Sequence, residues 1–334
     1  MTSRRSALRL LALGAAATLV PGCASWRAER AEARFPPSGR FVDAGGVAVH
    51  YVRAGAGPEV VLIHGAGGNL RDFTFGFMDR LTDRYTVTAF DRPGLGYTGR
   101  APGMPTGALA TEGESPMQQA AILRAAAEAL GIAAPIVVGH SFGGIVAYAW
   151  ALAGLDARSP ADAAGVVSLA GVTLPWPGDL GPFYTVNGSA LGGALAVPLI
   201  SALAPAALVK ERIERTFAPQ PAPEGYAEHI AARLTLRPES FRANIRQVNT
   251  LRPHVARMAR RYPELTLPVE IVHGSADRTV PPEVHARPAA ARYGWRLNEL
   301  QGIGHMPHHV APEAAIAAIG RIAARGTPVR EDAP

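Results

Sequence analysis

A serine between glycines, in the stretch GHSFGG (139–144), has the setting in this chain that most suggests chemistry. An apolar stretch over 134–139 predicts a strand that runs into Ser141, and the stretch over 143–154 predicts a helix that begins just after it. A serine on so tight a turn has a strained backbone and tolerates only small neighbours, which the flanking glycines provide. The G-x-S-x-G pattern alone is weak evidence in a chain with 36 glycines, but the strand–turn–helix setting favours Ser141 as a nucleophile.

A serine hydroxyl needs a base to become a nucleophile, and that base is usually a histidine held by a carboxylate. Two later segments supply these groups. PVEIVHGSAD (268–277) is interpreted as a strand followed by Asp277, and RLNELQGIGH (296–305) as a strand followed by His305. Because the carboxyl ends of parallel strands meet at one edge of a sheet, we expect both residues to converge on Ser141 there. This arrangement predicts acyl transfer through an acyl-enzyme.

The elements that position these residues alternate between strands and helices from residue 39 onward. Strands are predicted at 40–55 (a hairpin), 59–65, 85–94, 134–139, 165–171, 268–277 and 296–305, and helices at 115–131, 143–154 and 312–326. In the helix at 115–131, Ser115 is the expected N-cap and Gly131 the expected stop. The alternation predicts an α/β fold with a mostly parallel sheet flanked by helices.

Residues 172–264 break this alternation because they contain no clear strand. Their first part is apolar but interrupted by Pro198 and Pro205, which argues against a membrane span, and their second part is helical and polar on one side. We expect a helical lid inserted after the sixth strand, over the carboxyl edge of the sheet. The predicted organisation is a core of residues 39–171 and 265–334 with this lid between its two parts.

Four motifs, HGAGGN, DRPGLGYT, GHSFGG and GSADRTVP…GIGHMPHH, occur in this order along the chain. In type and spacing they resemble the α/β-hydrolase superfamily, in the lidded, serine-nucleophile form that includes esterases and lipases. The resemblance implies a catalytic triad of Ser141, Asp277 and His305. It also implies an oxyanion hole formed by two backbone N–H groups, that of Phe142 directly after the nucleophile and that of Ala66 after the strand that ends in LIHG.

Other acids and histidines compete for these roles. Asp91 in FDRPG is the nearest rival acid, but in the family this motif is a structural turn. His308 and His309 compete with His305, but the G-x-G-H spacing of the family matches His305, so the other two are expected at the surface or in a pocket wall. His64 is interpreted as structural.

The identity of the nucleophile limits the chemistry further. Attack of a serine on an epoxide or a haloalkane would leave a stable ether, so we predict acyl transfer to water instead. We expect a hydrolase of a small-molecule carboxylic ester that needs no cofactor and no metal. Other serine-hydrolase chemistry (C–C bond hydrolysis, aminopeptidase-like or perhydrolase activity) and a non-catalytic envelope protein remain as alternatives. Tyr184, Tyr226 and Trp176 are expected either to line the substrate pocket or to pack in the lid and core.

The N-terminus has the three parts of an export signal: arginines, an eleven-residue apolar run at 10–20, and small residues after it. SRRSALR resembles a twin-arginine motif, and VPGC resembles a bacterial lipobox, which implies lipidation of Cys23. We expect residues 1–22 to be the signal and residues 23–38 a polar tether, so that the exported protein is held at the cell envelope by a lipid anchor. A periplasmic or secreted protein and an uncleaved anchor are the alternatives.

Charge and cysteine content argue against two other classes of function. The formal net charge is +6, but it falls to +3 once the signal with its three arginines is removed, and the other basic residues are scattered among acids. We therefore predict no nucleic-acid partner. Cys23 is the only cysteine, so no intramolecular disulfide is possible, and no cluster of cysteines and histidines has the spacing of a zinc site.

Overall fold

A computed structural model describes residues 4–326 of the chain, and among these the side chains of residues 19–325. The first three residues of the predicted export signal and the last eight of the predicted core lie outside the described residues. The centre of the fold is an eight-stranded sheet. Its strands are β1 (Arg40–Asp43), β2 (Ala48–Ala54), β3 (Glu59–Ile63), β4 (Thr86–Phe90), β5 (Ile136–His140), β6 (Gly165–Leu169), β7 (Val269–Gly274) and β8 (Arg296–Leu300).

The strand order across the sheet is β1-β2-β4-β3-β5-β6-β7-β8. β1 and β2 form the predicted hairpin, β2 pairs antiparallel with β4, and every other pairing is parallel. The chain therefore runs from β3 outward to β4 and then returns past β3 to β5. In an open parallel sheet such a reversal leaves a crevice at the carboxyl ends of the two diverging strands, where ligands bind. The loops after β3 and β5 lie at this crevice.

Thirteen α-helices surround the sheet or extend from it in the described part of the chain. They are α1 (Arg4–Arg34), α2 (Arg71–Thr74), α3 (Pro116–Ala129), α4 (Phe142–Asp156), α5 (Pro182–Gly188), α6 (Val197–Leu203), α7 (Ala206–Phe217), α8 (Tyr226–His229), α9 (Pro238–Asn249), α10 (Leu251–Arg261), α11 (Ala286–Tyr293), α12 (Pro307–Val310) and α13 (Pro312–Gly326). A π-helical turn (Gly192–Ala196) and two 3-10 turns (Ala232–Leu234 and Tyr262–Glu264) accompany them. α3 begins as predicted, because Ser115 forms a capping box with Gln118.

The hydrophobic core lies on both faces of the sheet. On one face, Val61 and Val137 pack in a cluster with Ile145 of α4, and on the other face Val138 packs in a cluster with Ile319 of α13. Every residue of β5 and β6 is buried, as expected for central parallel strands that are covered on both sides. This packing fixes the end of β5, and the turn that follows it, relative to the rest of the sheet.

Residues 172–264 are mostly helical, as predicted, and contain α5 to α10. α9 lies across the carboxyl edge of the sheet, where Gln247 donates a hydrogen bond to the Pro93 carbonyl at the end of β4 (2.8 Å). Among the described residues, no single helix has both the length and the apolar character needed to cross a membrane. The helices Pro182–Gly188 and Gly192–Leu203 reach that length and composition only as a pair, which is bent by 92°.

Residues 23–34 differ from the expected tether because they continue the helix α1. Their sequence is rich in alanine, glutamate and arginine, which are strong helix formers. Their contacts also hold them in place: Arg27 donates to the Ala202 carbonyl at 2.6 Å, and Arg34 pairs with Glu228 at 2.7 Å. This part of α1 therefore packs on the helices between β6 and β7 instead of extending away from them.

Candidate active site

Ser141 lies on the turn between β5 and α4 with φ 53° and ψ −116°, a conformation that costs free energy for any residue other than glycine. Backbone hydrogen bonds maintain this strain: the Ser141 N–H donates to the Leu169 carbonyl (2.9 Å), and the Ser141 carbonyl accepts from Gly144 (3.0 Å) and Val172 (3.1 Å). The serine is thereby held at the carboxyl edge of the sheet, in the strand–turn–helix setting that the sequence predicts.

The glycines around Ser141 are required by close backbone approaches. A Cβ atom at Gly139 would overlap the carbonyl group of Gly143, and one at Gly143 would overlap the carbonyl group of Ile63 at the end of β3. A Cβ at Gly65, in the loop after β3, would lie 3.0 Å from the Cβ of Ser141. The absence of these side chains lets the loops after β3 and β5 come together around the serine.

Asp277 and His305 meet at the same edge, although 28 residues separate them in sequence. Asp277 follows β7, His305 follows β8, and His305 Nδ1 lies 2.7 Å from Asp277 Oδ2. A carboxylate only accepts hydrogen bonds, so Nδ1 carries the hydrogen and the Nε2 atom of neutral His305 keeps its lone pair. Within residues 4–326, no hydrogen bond joins His305 to the Ser141 hydroxyl, a contact that often tightens only when substrate binds.

The Asp277 carboxylate is held on several sides. Its Oδ1 accepts hydrogen bonds from the backbone N–H groups of Thr279 (2.8 Å) and Val280 (3.0 Å), and His273 Nε2 lies 3.2 Å from its Oδ2. Burial by itself raises the pKa of this carboxyl, but the neighbouring His305 and the hydrogen bonds from His273 and His305 outweigh burial and lower the pKa overall. Asp277 is therefore ionised and fixed, as a group that orients a histidine must be.

The two expected oxyanion donors have no backbone acceptor among the described residues. Phe142 is the first residue of α4, so its N–H has no partner within the helix. Ala66 lies in the loop that begins where β3 ends. Both N–H groups are thus available at the crevice beside Ser141, and the amino end of α4 adds a partial positive charge there.

Two side chains that the sequence analysis missed hold the loop that contains Ala66. Asn244 of α9 accepts a hydrogen bond from the Gly67 N–H at 2.6 Å, and Thr235 donates one to the Gly67 carbonyl at 2.6 Å. Both belong to the helical segment between β6 and β7, where no motif identifies them. Their contacts fix the backbone directly after Ala66.

A buried arginine also binds the loop that contains Ala66. Arg92 donates to the carbonyl groups of His64 and Gly65, each at 3.0 Å, and its guanidinium lies 4.2 Å from the centre of the Phe142 ring. Burial lowers the pKa of Arg92 to about 9, while Glu114 and Asp91 counteract part of this change. Arg92 therefore connects the two segments that carry the expected oxyanion donors, through hydrogen bonds and a cation–π contact.

The rival residues have structural partners. The Asp91 carboxylate accepts hydrogen bonds from the backbone N–H groups of Leu70 (2.7 Å) and Tyr97 (2.8 Å), as expected for an acid that fixes a turn. His64 is buried between the Gly65 carbonyl and the Arg92 N–H. Trp176 and Tyr184, which were expected to line the pocket or to pack, are partly buried and pack against the core.

His308 and His309 lie away from the surface, contrary to one of the two expectations for them. Their Nε2 atoms lie 3.2 and 2.8 Å from the carboxylate of buried Asp72, which also accepts a hydrogen bond from the Tyr226 hydroxyl at 2.8 Å. Burial raises the pKa of Asp72, but the two histidines outweigh it and hold that pKa well below its usual range. The cluster is assembled from distant segments, so motif spacing did not indicate it.

The three residues of the expected triad are covered. The exposed fraction is 8% for Ser141 and 3% for both Asp277 and His305. Two cavities of about 710 and 630 Å³ lie beside α1, and neither is lined by any of the three.

Comparison with known proteins identifies the family of this chain. The sequence profile of the alpha/beta hydrolase family matches residues 60–319. A curated relative, the dihydrolipoyllysine-residue acetyltransferase component of the acetoin cleaving system of Cupriavidus necator, is 42% identical over 109 residues, which are 32% of this chain and 26% of that protein. The chain thus matches only about a quarter of that relative's length.

Two solved structures are similar over most of both chains. An alpha/beta hydrolase fold protein from Burkholderia ambifaria is 25% identical with a TM-score of 0.64, over 84% of this chain and 98% of that one. The enol-lactonase from Burkholderia xenovorans LB400 is 18% identical with a TM-score of 0.64, over 85% of this chain and 99% of that one. With a family match across most of its length and the corresponding fold, the chain belongs to the alpha/beta hydrolase family.

Proposed function

We propose that the protein is a serine hydrolase that cleaves a carboxylic ester through an acyl-enzyme on Ser141. The observation that carries this proposal is the 2.7 Å contact between His305 and the ionised Asp277, at the sheet edge where Ser141 stands on a strained turn. The contact leaves His305 Nε2 as the base. The same residue types in the same roles act in serine hydrolases of unrelated folds.

The proposed reaction has two halves. His305 Nε2 takes the hydroxyl proton of Ser141 as its oxygen attacks the acyl carbon, and the N–H groups of Ala66 and Phe142 donate to the oxyanion that forms. His305 then gives the proton to the alcohol oxygen as the C–O bond breaks, which leaves the acyl-enzyme. In the second half His305 takes a proton from water, the water oxygen attacks the acyl carbon, and Ser141 leaves with the proton that His305 returns. Throughout, Asp277 stabilises the imidazolium form of His305.

The helical segment at 172–264 acts as a lid in this proposal. It follows β6, α9 lies over the carboxyl edge of the sheet, and Asn244 and Thr235 bind the loop beside Ala66. The low exposure of Ser141 supports a closed state, from which the segment must shift to admit an ester. The identity of the acyl group and the alcohol is set by this segment.

Labelling with a fluorophosphonate probe tests the nucleophile. We expect wild type to be labelled and to hydrolyse p-nitrophenyl esters, and Ser141→Ala to lose labelling and about 10³-fold or more of kcat while keeping its melting temperature. A partly buried serine outside the site, Ser159→Ala, is the control and should be labelled and active as wild type is. Full esterase activity in folded Ser141→Ala would contradict the proposal. A folded wild type that takes no label would favour the non-catalytic alternative.

A substrate panel separates ester hydrolysis from the other chemistry of a serine nucleophile. It compares alkyl esters of increasing chain length, lactones including enol-lactones, aminoacyl amides and vinylogous diketones. Highest kcat/KM for an ester is the expected result. Preference for a diketone or an amide would instead indicate C–C bond or aminopeptidase-like hydrolysis, and halogenation with peroxide would indicate a perhydrolase.

We further propose that the protein is exported and works at a membrane surface of the cell envelope, anchored by lipid on Cys23. Cys23 is exposed on α1. Beside it, four leucines spaced four residues apart form an exposed face on the helices that α1 contacts; this leucine face consists of Leu191 (70% exposed), Leu195 (65%), Leu199 (44%) and Leu203 (66%). A row of exposed leucines of this kind suits contact with lipid.

The single cysteine makes this part testable. A fatty-acid analogue should label wild type and leave Cys23→Ser unlabelled. In the Cys23→Ser background, an environment-sensitive dye on Leu195→Cys should shift to the blue when anionic phospholipid vesicles are added, whereas a dye on Leu155→Cys, a 42% exposed control position, should not. Absence of both signals would favour a soluble periplasmic or secreted protein.

A further inference from the structure

A second cluster of ionisable groups lies behind the proposed triad and takes no part in the mechanism above. Asp72 of α2, His140 at the end of β5 and His308 of α12 are 2%, 4% and 1% exposed. One ligand-capable atom from each residue lies within 4.8 Å of the others. Three distant segments of the chain are thus brought to one buried point.

The hydrogen bonds of His140 fix its tautomer. Its Nε2 lies 2.9 Å from the His305 carbonyl oxygen, which can only accept, so Nε2 carries the hydrogen. The lone pair of neutral His140 is then on Nδ1, which is buried and has no hydrogen-bond partner among the described residues. Asp72 Oδ2 faces this Nδ1 at 3.8 Å. Two electron-rich atoms that face each other in a buried site favour a positive charge between them.

The contacts of the Asp72 carboxylate also favour a positive charge at this point. Its Oδ1 already accepts hydrogen bonds from Tyr226 and His309, both at 2.8 Å. Its Oδ2 has His308 Nε2 at 3.2 Å and His140 Nδ1 at 3.8 Å. These separations are close to the about 3.4 Å between ligand atoms that each lie 2.0–2.1 Å from a tetrahedral zinc ion.

We propose that Asp72 Oδ2, His140 Nδ1 and His308 Nε2 bind one divalent transition-metal ion, with zinc as the best fit. Two imidazole nitrogens and one carboxylate oxygen are ligands that zinc takes in proteins. The Nε2–H of His140 donates to a backbone carbonyl, as the second nitrogen of a metal-bound histidine usually does. That carbonyl belongs to His305, so the ion fixes the backbone of the proposed catalytic base. The ion itself stays away from the reacting ester.

Metal content tests this inference independently of any hydrolase activity. The full chain is purified, stripped with a chelator and dialysed against zinc chloride, and bound zinc is measured by mass spectrometry. We expect one zinc ion per wild-type chain and a higher melting temperature than in the stripped chain. Asp72→Asn and His308→Gln should each lose most of the zinc. His309→Gln is the matched control, because His309 contacts only Oδ1, and it should keep the zinc.

A second measurement serves if the Asp72 variant fails to fold. Cobalt(II) added to the stripped wild-type chain should give the intense visible absorption of a tetrahedral site, and this absorption should be absent in His308→Gln. Less than about a tenth of an equivalent of zinc in wild type, or equal zinc in wild type and His308→Gln, would overturn the inference. The cluster would then be a buried hydrogen-bond network around Asp72 that holds no metal ion.

Discussion

Asp277 and Asp72 are buried carboxylates that each contact at least two histidines, yet their surroundings differ. Asp277 has one oxygen on the backbone N–H groups of Thr279 and Val280 and the other on His305 and His273. Asp72 receives its contacts from side chains, namely His308, His309 and Tyr226. Both carboxyls have lowered pKa values because the histidines outweigh burial.

The two sites differ in the contacts of the histidine ring nitrogens that do not bind the carboxylate. The Nε2 atom of His305 is left without a hydrogen bond in the part of the chain that the structure describes, and it lies at the edge that carries Ser141. Among the described residues, the buried Nδ1 atom of His308 has no hydrogen-bond partner, and the unpartnered Nδ1 atom of His140 faces Asp72 Oδ2. The same residue types therefore suit the proposed base at one site and the proposed metal ligands at the other.

Replacing each carboxylate by its amide gives the largest expected contrast. Asp277→Asn should lower kcat by about 10⁴-fold with a small change in melting temperature, because the amide favours the wrong His305 tautomer. Asp72→Asn should change kcat by at most about tenfold but lower the free energy of unfolding by about 3 kcal/mol, since it disrupts a buried charged network. Steady-state kinetics and urea unfolding on both variants measure the two effects. An equal loss of kcat in Asp277→Asn and Asp72→Asn would contradict the separate roles of the two carboxylates.

Two further buried histidines, His64 and His285, form hydrogen bonds mainly with the backbone rather than with a carboxylate. Burial lowers the pKa of His64 and of His285 from 6.5 to about 4. The unfolded chain takes up these protons near pH 6.5, but the folded chain takes them up only near pH 4. The stabilisation that depends on neutral histidines is therefore fully present above pH 6.5, and the free energy of unfolding falls as the pH drops from 6.5 toward 4. The upper limit of this loss is on the order of 3 kcal/mol for each histidine.

Urea unfolding at a series of pH values measures this loss. His64→Gln keeps a donor and an acceptor without a titrating group, so its curve should be flatter than that of wild type over the same range. The comparison variant is His254→Gln. His254 is only partly buried and burial lowers its pKa by less than that of His64, so this change should alter the curve less than His64→Gln does. A wild-type curve without slope between pH 6.5 and 4 would show that these histidines do not titrate as described.

The helical segment between β6 and β7 contributes side chains to the surroundings of both sites, and the smallest effects are expected there. Tyr226→Phe removes a donor to the Asp72 carboxylate and should lower the free energy of unfolding by about 1.5–3 kcal/mol without changing kcat. Asn244→Ala frees the Gly67 N–H beside Ala66 and should lower kcat by about tenfold, less than the loss of a direct oxyanion donor.

Kinetics and unfolding of these two variants, with Asn298→Ala on β8 as a control, separate the roles. We expect Asn298→Ala to match wild type in kcat. If Tyr226→Phe lowered kcat as much as Asn244→Ala did, the Asp72 site would belong to the catalytic machinery rather than support it.

The sequence alone predicted the alternation of strands and helices, the hairpin at the start of the sheet, and the setting of Ser141. Local patterns carry this information, because strands and helices have different hydrophobic periods and the glycines next to Ser141 prevent local clashes. The meeting of Asp277 and His305 could also be predicted, since each follows a predicted strand and the carboxyl ends of parallel strands lie at one edge of the sheet. The sequence did not predict that α1 would continue through residues 23–34, because its contacts with Ala202 and Glu228 are long-range.

Only the tertiary structure decided what the other polar residues do. Arg92, Asn244 and Thr235 converge on one loop from separate segments, and Asp72, His140 and His308 converge on one buried point. A pattern along the chain records neighbours in sequence, whereas these groups become neighbours only when helices pack on the sheet. The proposed nucleophile and its partners could thus be named from local rules, but the residues that support them, and the cluster around Asp72, are products of packing.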